Sequence, residues 1–208
     1  MADADGALSH DSHASAPMTC DIVLAGVGGQ GVLSVSAVIA SAALAHGLQV
    51  KQSEVHGMAQ RGGAVSANLR LSDRAIASEL VPRGCASLLL AMEPLESLRY
   101  FPFLSPTGTV VAATTPVENI PDYPPLESVL DAIRTAPHAV LVDATRLARE
   151  AGSMRAVNMV MVGAASNLLP LGADALEHEI TRRFERKGAA IVEQNLRAFR
   201  AGRTAGRP

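Results

Sequence analysis

The residues best suited to chemistry lie in one short segment, SEVHGMAQRGG, at positions 53–63. Within eight residues it holds a carboxylate, an imidazole, an amide and a guanidinium, those of Glu54, His56, Gln60 and Arg61. Such a set can bind an anion, with Arg61 facing a phosphate or carboxylate group and the other side chains positioning it. The alternative is a polar surface loop. We favour a supporting functional role because these groups share one glycine-framed loop, although none is by its type a definite catalytic acid or base.

A second candidate site is the turn GVGGQG at residues 26–31. Its glycines fit the G-x-G-x-x-G pattern, after an apolar strand predicted for residues 21–26 and at the opening of a helix predicted for 30–46. Such a turn lets main-chain N–H groups approach a bound anion, which the positive end of the helix then faces. The candidate binding residues are Gly26, Gly28, Gly29, Gln30 and Gly31 of this turn, together with Arg61 and Gly62 of the second loop.

A dinucleotide site also needs an acidic residue after the second strand. Glu54 follows Gly31 by 23 residues and formally completes that fingerprint. The chain then runs from Glu54 into a glycine loop and another strand, where a dinucleotide-binding fold has a second crossover helix. A free-standing protein that binds NAD or FAD therefore remains as the alternative. The sequence contains no Walker-type loop, no G-x-S-x-G elbow and no C-x-x-C pair, so we predict no metal site.

Length and composition indicate a single globular domain. The chain has 208 residues, of which 48% are hydrophobic and 18% charged. A net charge of −2 argues against nucleic acid and acidic membrane surfaces as partners. There is no apolar run of about 18 residues and no signal peptide, so we expect a cytoplasmic protein without a membrane span. The two cysteines, Cys20 and Cys85, each precede or begin an apolar strand and are predicted to be buried free thiols.

Hydrophobic periodicity predicts an α/β fold, with a three-layer Rossmann-like, mainly parallel sheet that has helices on both faces. Two adjacent strands within residues 64–80 predict an antiparallel edge hairpin, and the last third is helical. We expect a disordered tail at 1–19, a single domain at 20–200 and a flexible end at 201–208. The predicted strands are 21–26, 48–54, 64–72, 85–92, 107–115 and 138–143, and the predicted helices are 30–46, 94–100, 126–136, 144–151, 154–171, 174–187 and 188–200.

GVGGQGVL followed by SEVHGMAQRGG resembles the gamma-type domain of 2-oxoacid:ferredoxin oxidoreductases. Within that family the chain is most similar to the small, beta-type subunits of indolepyruvate oxidoreductases, over about residues 20–200. The resemblance implies a subunit of an enzyme that oxidatively decarboxylates an aryl-pyruvate to an aryl-acetyl-CoA. Electrons would pass to ferredoxin or another acceptor, and the isolated chain would be inactive.

The resemblance also implies cofactors on another chain. Thiamine diphosphate with Mg and iron–sulfur clusters would do the chemistry, with CoA as co-substrate. This sequence has neither the cysteines for clusters nor a G-D-G thiamine motif. We therefore expect no tightly bound cofactor here, and a large alpha-type partner subunit that carries these groups. A homodimer of the chain expressed alone, and a purely structural protein whose loops bind no ligand, remain open.

Overall fold

The computed structural model describes residues 18–56 and 62–207, which form six strands and seven α-helices. The strands are β1 (Thr19–Val27), β2 (Gln49–His56), β3 (Ala64–Ser72), β4 (Ala86–Ala91), β5 (Leu104–Ala113) and β6 (His138–Val142). The helices are α1 (Val32–Ala45), α2 (Pro94–Arg99), α3 (Leu126–Arg134), α4 (Ala144–Glu150), α5 (Val157–Ala165), α6 (Ala173–Phe184) and α7 (Ala189–Ala205). Short 3₁₀ turns at Phe101–Phe103, Met154–Ala156, Ser166–Leu168 and Glu185–Lys187 join some of them.

The strands form one mixed sheet in the order β2-β3-β1-β4-β5-β6. β1, β4, β5 and β6 are parallel, while β3 runs antiparallel to both β1 and β2. The predicted α/β class with a mainly parallel sheet is confirmed.

The antiparallel hairpin exists, but its predicted second strand was wrong. β3 occupies residues 64–72 as predicted. Its hairpin partner is β2, however, because residues 75–80 form no strand. The backbone carbonyls of this segment are bound by side chains instead. Lys51 Nζ donates to Ala77 O at 3.1 Å, and Arg70 Nη1 donates to Ser78 O at 3.1 Å. The segment therefore lies across one face of the sheet rather than extending its edge.

Helices cover both faces of the sheet, so that two separate cores form. One core lies between the sheet and α1, α4, α5, α6 and α7, and includes the fully buried Ile22, Leu24 and Phe199. The other lies between the opposite face and α2 and α3, and includes Val23 and Leu89. Consecutive residues of β1 thus point into different cores, as expected of a central strand buried on both sides.

The ends of several elements differ from the prediction. The first seventeen residues of the predicted tail lie outside the described residues, but Thr19 already pairs with Ser72 as the first residue of β1. At the other end α7 continues to Ala205, beyond the predicted helix end at residue 200. This extension is packed because Gly202 of α7 lies against the backbone of α5. Cys85 is exposed rather than buried, whereas Cys20 is buried as predicted.

Candidate functional site

The glycine turn follows β1 at the carboxyl edge of the parallel strands. Gly29 and Gly31 have φ angles of 100° and 77°, which favour glycine because a Cβ atom is strained there. A Cβ on Gly31 would also overlap the amide of Asn158, whose Nδ2 donates to Gly31 O at 3.4 Å. At Gly26 a Cβ would lie 2.8 Å from Val32 Cγ2. The spacing of the glycines is therefore required by packing within this chain, irrespective of any ligand.

Gln30, which we predicted as a binding residue, holds the turn together. Its Oε1 accepts a hydrogen bond from the amide of Val27 at 2.8 Å, and its Nε2 donates to the carbonyl of Met92 at 2.9 Å. Both polar ends of the side chain are thus committed to the backbone after β1 and after β4. Gln30 fixes the turn to the neighbouring strand.

The structure places the two glycine-rich loops side by side. The amide of Gly28 donates to Gly63 O at 2.8 Å, and the amide of Gly62 donates to Gly28 O at 3.4 Å. The two loops were expected to lie close together, since both leave the same edge of the sheet. Gly28 cannot use the same N–H to bind an anion while it is bonded to Gly63.

The four side chains of the second loop are only partly described. Gln60 and Arg61 lie outside the described residues. The loop was predicted to begin after residue 54, whereas β2 extends to His56, whose backbone pairs with Val65. Glu54 is exposed on β2 and accepts a hydrogen bond from Gln52 Nε2 at 2.5 Å.

The position of Glu54 disfavours the dinucleotide alternative. In a dinucleotide-binding fold the acidic residue ends a strand that lies next to the strand before the glycine turn. Here β3 is inserted between β1 and β2. Because neighbouring strands are spaced by about 4.8 Å, Glu54 is displaced by roughly that distance from the position a ribose hydroxyl would need.

A cleft of about 430 Å³ opens beside the glycine turn. The chain leaves β1 through α1 on one face of the sheet and leaves the adjacent β4 through α2 on the other. This change of direction creates a crevice at the carboxyl edge, which is where open α/β sheets bind ligands. Its lining residues come from the segments that follow β1, β4, β5 and β6 and from the start of α5, and include Gly29, Met92, Thr115, Val117, Thr145, Arg155 and Asn158.

The polar lining of the cleft suits an anionic group. Arg155 is exposed and forms no ion pair within the described part of the chain. Thr115 and Thr145 are joined by a hydrogen bond of 2.8 Å between their Oγ1 atoms. A guanidinium and hydroxyl groups can together hold a phosphate or carboxylate group through charge-assisted hydrogen bonds.

Four polar residues that line the cleft were not predicted as site residues: Thr115, Thr145, Arg155 and Asn158. Thr115 lies two residues after β5, and Thr145 lies three residues after β6 in the first turn of α4, so the rule that ligands bind at the carboxyl ends of parallel strands could have found them. Arg155 and Asn158 belong to the helical last third and carry no local signal. Only the packing of α5 against the glycine turn brings them to the cleft.

The described part of the chain shows neither a metal-ligand cluster nor a membrane-spanning helix. Across residues 18–56 and 62–207, no three His, Cys, Asp or Glu side chains are grouped so that they could hold a metal ion. In the same residues, no helix combines the length and the apolar character needed to cross a bilayer.

Known proteins resemble this chain in sequence and in fold. A family model described as pyruvate ferredoxin/flavodoxin oxidoreductase matches residues 21–205. The chain is 37% identical over 194 residues to the indolepyruvate oxidoreductase subunit IorB of Archaeoglobus fulgidus, which covers 89% of this chain and 94% of the relative. Identity to the 2-oxoglutarate synthase subunit KorC of the same organism is 28% over 191 residues, covering 92% of this chain and 90% of the relative.

Solved structures show the same fold. A 2-oxoglutarate:ferredoxin oxidoreductase from Magnetococcus marinus, solved with 2-oxoglutarate, coenzyme A and succinyl-CoA bound, matches with a TM-score of 0.74 at 24% identity. The match covers 90% of this chain and 31% of that chain. The gamma subunit of a keto/oxoacid ferredoxin oxidoreductase from Geobacter sulfurreducens matches with a TM-score of 0.66 at 24% identity, covering 90% of this chain and 98% of that chain.

Proposed function

This chain belongs to the pyruvate ferredoxin/flavodoxin oxidoreductase family, and we propose that its complex acts on an aryl-pyruvate such as indolepyruvate. The chain is a small subunit of a heteromeric 2-oxoacid oxidoreductase. The resemblance indicated by the two glycine-rich motifs is thereby confirmed at the level of the family. The substrate class is supported by the higher identity to IorB, 37%, than to KorC, 28%. In the proposed reaction the 2-oxoacid loses its carboxyl group as carbon dioxide. The remaining acyl group bonds to the sulfur of coenzyme A, the thiol proton is released, and an electron pair passes to ferredoxin or another acceptor.

The cofactors of this reaction belong, in this proposal, to a larger alpha-type partner subunit. Thiamine diphosphate with Mg would supply the electron sink for decarboxylation, and iron–sulfur clusters would carry single electrons. An iron–sulfur cluster is held by about four cysteine thiolates, whereas this sequence contains two cysteines. Among the described residues, no three His, Cys, Asp or Glu side chains are grouped to hold a metal ion. The sequence also has no G-D-G thiamine motif, so the residues of this chain do not fit either cofactor.

The contribution of this subunit is to bind an anionic group, and we assign it to the cleft beside the glycine turn. Arg155 supplies the positive charge, and Thr115 and Thr145 supply hydroxyl groups. Coenzyme A is the co-substrate with phosphate groups, and the cleft is large enough for part of it. Arg61 stays a proposed anion-binding residue, and its chain neighbour Gly62 lies at this edge of the sheet, where its amide donates to Gly28 O. The observation that carries this assignment is the convergence of Arg155 with the glycine turn at the point where the direction of the sheet connections changes.

The cleft assignment is tested in the purified complex with Arg155→Ala. We expect the KM for coenzyme A to rise by about tenfold, since one charge-assisted contact to a phosphate is lost, with kcat changed less than about twofold. Arg149→Ala is the matched control, because Arg149 is exposed on α4 and does not line the cleft. An unchanged KM for coenzyme A in Arg155→Ala would exclude this role of the cleft.

The subunit assignment is tested separately by expression with and without the larger subunit. We expect this chain to co-purify with a protein that carries thiamine diphosphate and iron–sulfur clusters, and the chain alone to leave indolepyruvate unoxidised. Activity of the isolated chain would contradict the assignment. A rise in its melting temperature with NAD, or a yellow preparation, would instead favour the nucleotide-binding alternative.

A further inference from the structure

Glu93 is a carboxylate that is almost completely buried and has no cationic partner among residues 18–56 and 62–207. The residue is 1% exposed and immediately precedes α2. Within the described part of the chain it forms no ion pair. The nearby Arg99 pairs with Glu96 instead (Nε to Oε1, 3.2 Å). Burial of a carboxylate is strongly unfavourable unless hydrogen bonds replace the lost hydration. The hydrogen-bond donors around Glu93 therefore indicate what the carboxylate does.

Three donors surround this carboxylate, and they come from two separate parts of the chain. Oε2 accepts a hydrogen bond from the amide of Glu96 at 2.8 Å and so caps α2. Oε1 accepts one from the amide of Val117 at 3.2 Å and one from the hydroxyl of Tyr123 at 2.5 Å. Burial raises the pKa of the Tyr123 hydroxyl, and its hydrogen bond to Glu93 raises it further, so the phenol remains a donor at neutral pH.

Val117 and Tyr123 belong to residues 114–125, a segment that we call the wall of the cleft because its Thr115 and Val117 line the cleft. This segment contains four prolines and has no helix or strand, so its position depends on hydrogen bonds to other elements. Val117 itself lines the cleft. Asn119, two residues further on, donates from Nδ2 to Gly62 O at 2.6 Å and so reaches the second glycine loop.

The other side of Glu93 is tied to the glycine turn. Its chain neighbour Met92 lines the cleft, and the carbonyl of Met92 accepts a hydrogen bond from Gln30 Nε2 at 2.9 Å. The amide of Met92 donates to Ala25 O at 2.8 Å. Residues 92 and 93 thus connect the end of β1 to the wall formed by residues 114–125.

We propose that Glu93 is a positioning residue for the cleft: its buried carboxylate holds residues 114–125 against the glycine turn without touching the ligand. Both Oε1 bonds run to this segment, while the Oε2 bond keeps the carboxylate oriented at the start of α2. Weakening the Oε1 bonds releases the wall, and the cleft then loses its shape although Arg155 and the glycines are unchanged. The identity of the ligand rests on the proposed function, but the anchoring of the wall does not.

The test compares Glu93→Gln and Tyr123→Phe in the complete complex. We expect backbone amides of residues 114–125 to exchange with deuterium about tenfold faster, because a hydrogen bond to a charged group is weakened or lost. The KM for coenzyme A should rise at least about threefold, while kcat and the KM for the 2-oxoacid change less than about twofold. If Glu93→Gln does not assemble, Tyr123→Phe decides alone, since it removes only the hydroxyl group that donates to Glu93 and keeps the ring.

Ser97→Ala is the matched control. The Ser97 hydroxyl is buried in the same helix and donates to Pro94 O at 2.6 Å, but it does not contact residues 114–125. This variant should leave both the exchange of that segment and the KM for coenzyme A unchanged.

The outcomes separate this proposal from the proposed function. Unchanged exchange of residues 114–125 in Tyr123→Phe, or the same increase in Ser97→Ala, would overturn the role of Glu93. The role of Glu93 would also be overturned if Arg155→Ala raises the KM for coenzyme A but Tyr123→Phe, with faster exchange of the segment, leaves that KM unchanged. If Arg155→Ala has no effect, it is the ligand assignment that fails, and faster exchange of the segment still supports Glu93 as its anchor.

Discussion

The amide of Gly28 donates a hydrogen bond to the carbonyl of Gly63, with 2.8 Å between nitrogen and oxygen. This bond joins the turn after β1 to the residue that precedes β3, and the amide of Gly62 completes the pairing by donating to Gly28 O. The two glycine-rich loops therefore act as one unit at the edge of the sheet. Because the Gly28 amide is already bonded to Gly63 O, it is not free to bind an anion. Side chains such as Arg155 are therefore the better candidates for anion binding.

Gly31 should tolerate alanine less well than Gly29 does. Both have positive φ angles, but a Cβ on Gly31 overlaps the Asn158 amide, whereas a Cβ on Gly29 meets no atom within 4 Å. We expect Gly29→Ala to lower the free energy of unfolding by about 1 kcal/mol and Gly31→Ala by about 2 kcal/mol or more. Urea unfolding measures both values.

A double variant separates the two causes at Gly31. Adding Asn158→Ala to Gly31→Ala removes the overlap but leaves the backbone strain, so part of the lost stability should return. If the double variant is less stable than the sum of the single changes predicts, the overlap with Asn158 is not the reason for the loss.

Gly163 should be among the positions most sensitive to an added methyl group. A Cβ there would overlap the carbonyl oxygen of Phe199, because α5 and α7 pack backbone against backbone. We expect Gly163→Ala to destabilise the fold by roughly 3 kcal/mol, since backbone cannot move aside as a flexible side chain can. The control is Gly172→Ala, where a Cβ would meet nothing within 4 Å and the loss should stay below about 1 kcal/mol.

The Asp21–Arg70 ion pair should contribute strongly to stability. Arg70 Nε and Nη2 bind the two carboxylate oxygens at 2.8 and 3.0 Å, and the side chains are 19% and 10% exposed. Asp21→Asn or Arg70→Met should each lower the free energy of unfolding by about 3 kcal/mol, because the remaining partner is left poorly compensated. Arg70→Met also frees the carbonyls of Ser78 and Leu80.

The control for this pair is Arg134–Asp131 on α3, whose side chains are 51% and 73% exposed. Arg134→Met should change stability by no more than about 0.5 kcal/mol, because solvent screens an exposed pair. Equal losses at the two pairs in thermal or urea unfolding would contradict the importance of burial.

Glu96 should make the protein less stable as the pH rises. Burial raises the pKa of this carboxyl from its ordinary value of 4.5, and the nearby Arg99 opposes the shift only in part. Below about pH 4 the carboxyl is protonated in both states and costs nothing. Above that pH the unfolded state ionises first, so stability falls until the folded-state pKa is passed. Glu96→Gln should therefore gain stability relative to the wild type between about pH 4 and about pH 7.

Glu177 gives the opposite sign and serves as the comparison. The hydrogen bond from Arg200 lowers the pKa of the Glu177 carboxyl, so its contribution is present at neutral pH and is lost as the pH falls through the folded-state pKa. Glu177→Gln should lose stability relative to the wild type at about pH 7 and less at acidic pH. Urea unfolding at several pH values measures both trends. If both variants show the same trend, these pKa shifts do not govern the pH dependence of stability.

Several features followed from the sequence alone because their causes are local. Alternating apolar residues defined β3 at 64–72 to the residue, and the glycine spacing after β1 marked the turn and the start of α1. The two glycine-rich motifs together identified the family.

Only the tertiary structure decided which elements pair and which side chains meet at the cleft. Residues 75–80 were predicted as a returning strand, but Lys51 and Arg70 bind the carbonyls of this segment, and β2 is the partner of β3. Arg155 and Asn158 reach the glycine turn across more than a hundred residues, and Glu93 fixes the wall of the cleft through donors more than twenty residues away. Hydrogen bonds and packing act over a few ångströms in space and not along the chain, so no local pattern could reveal these contacts.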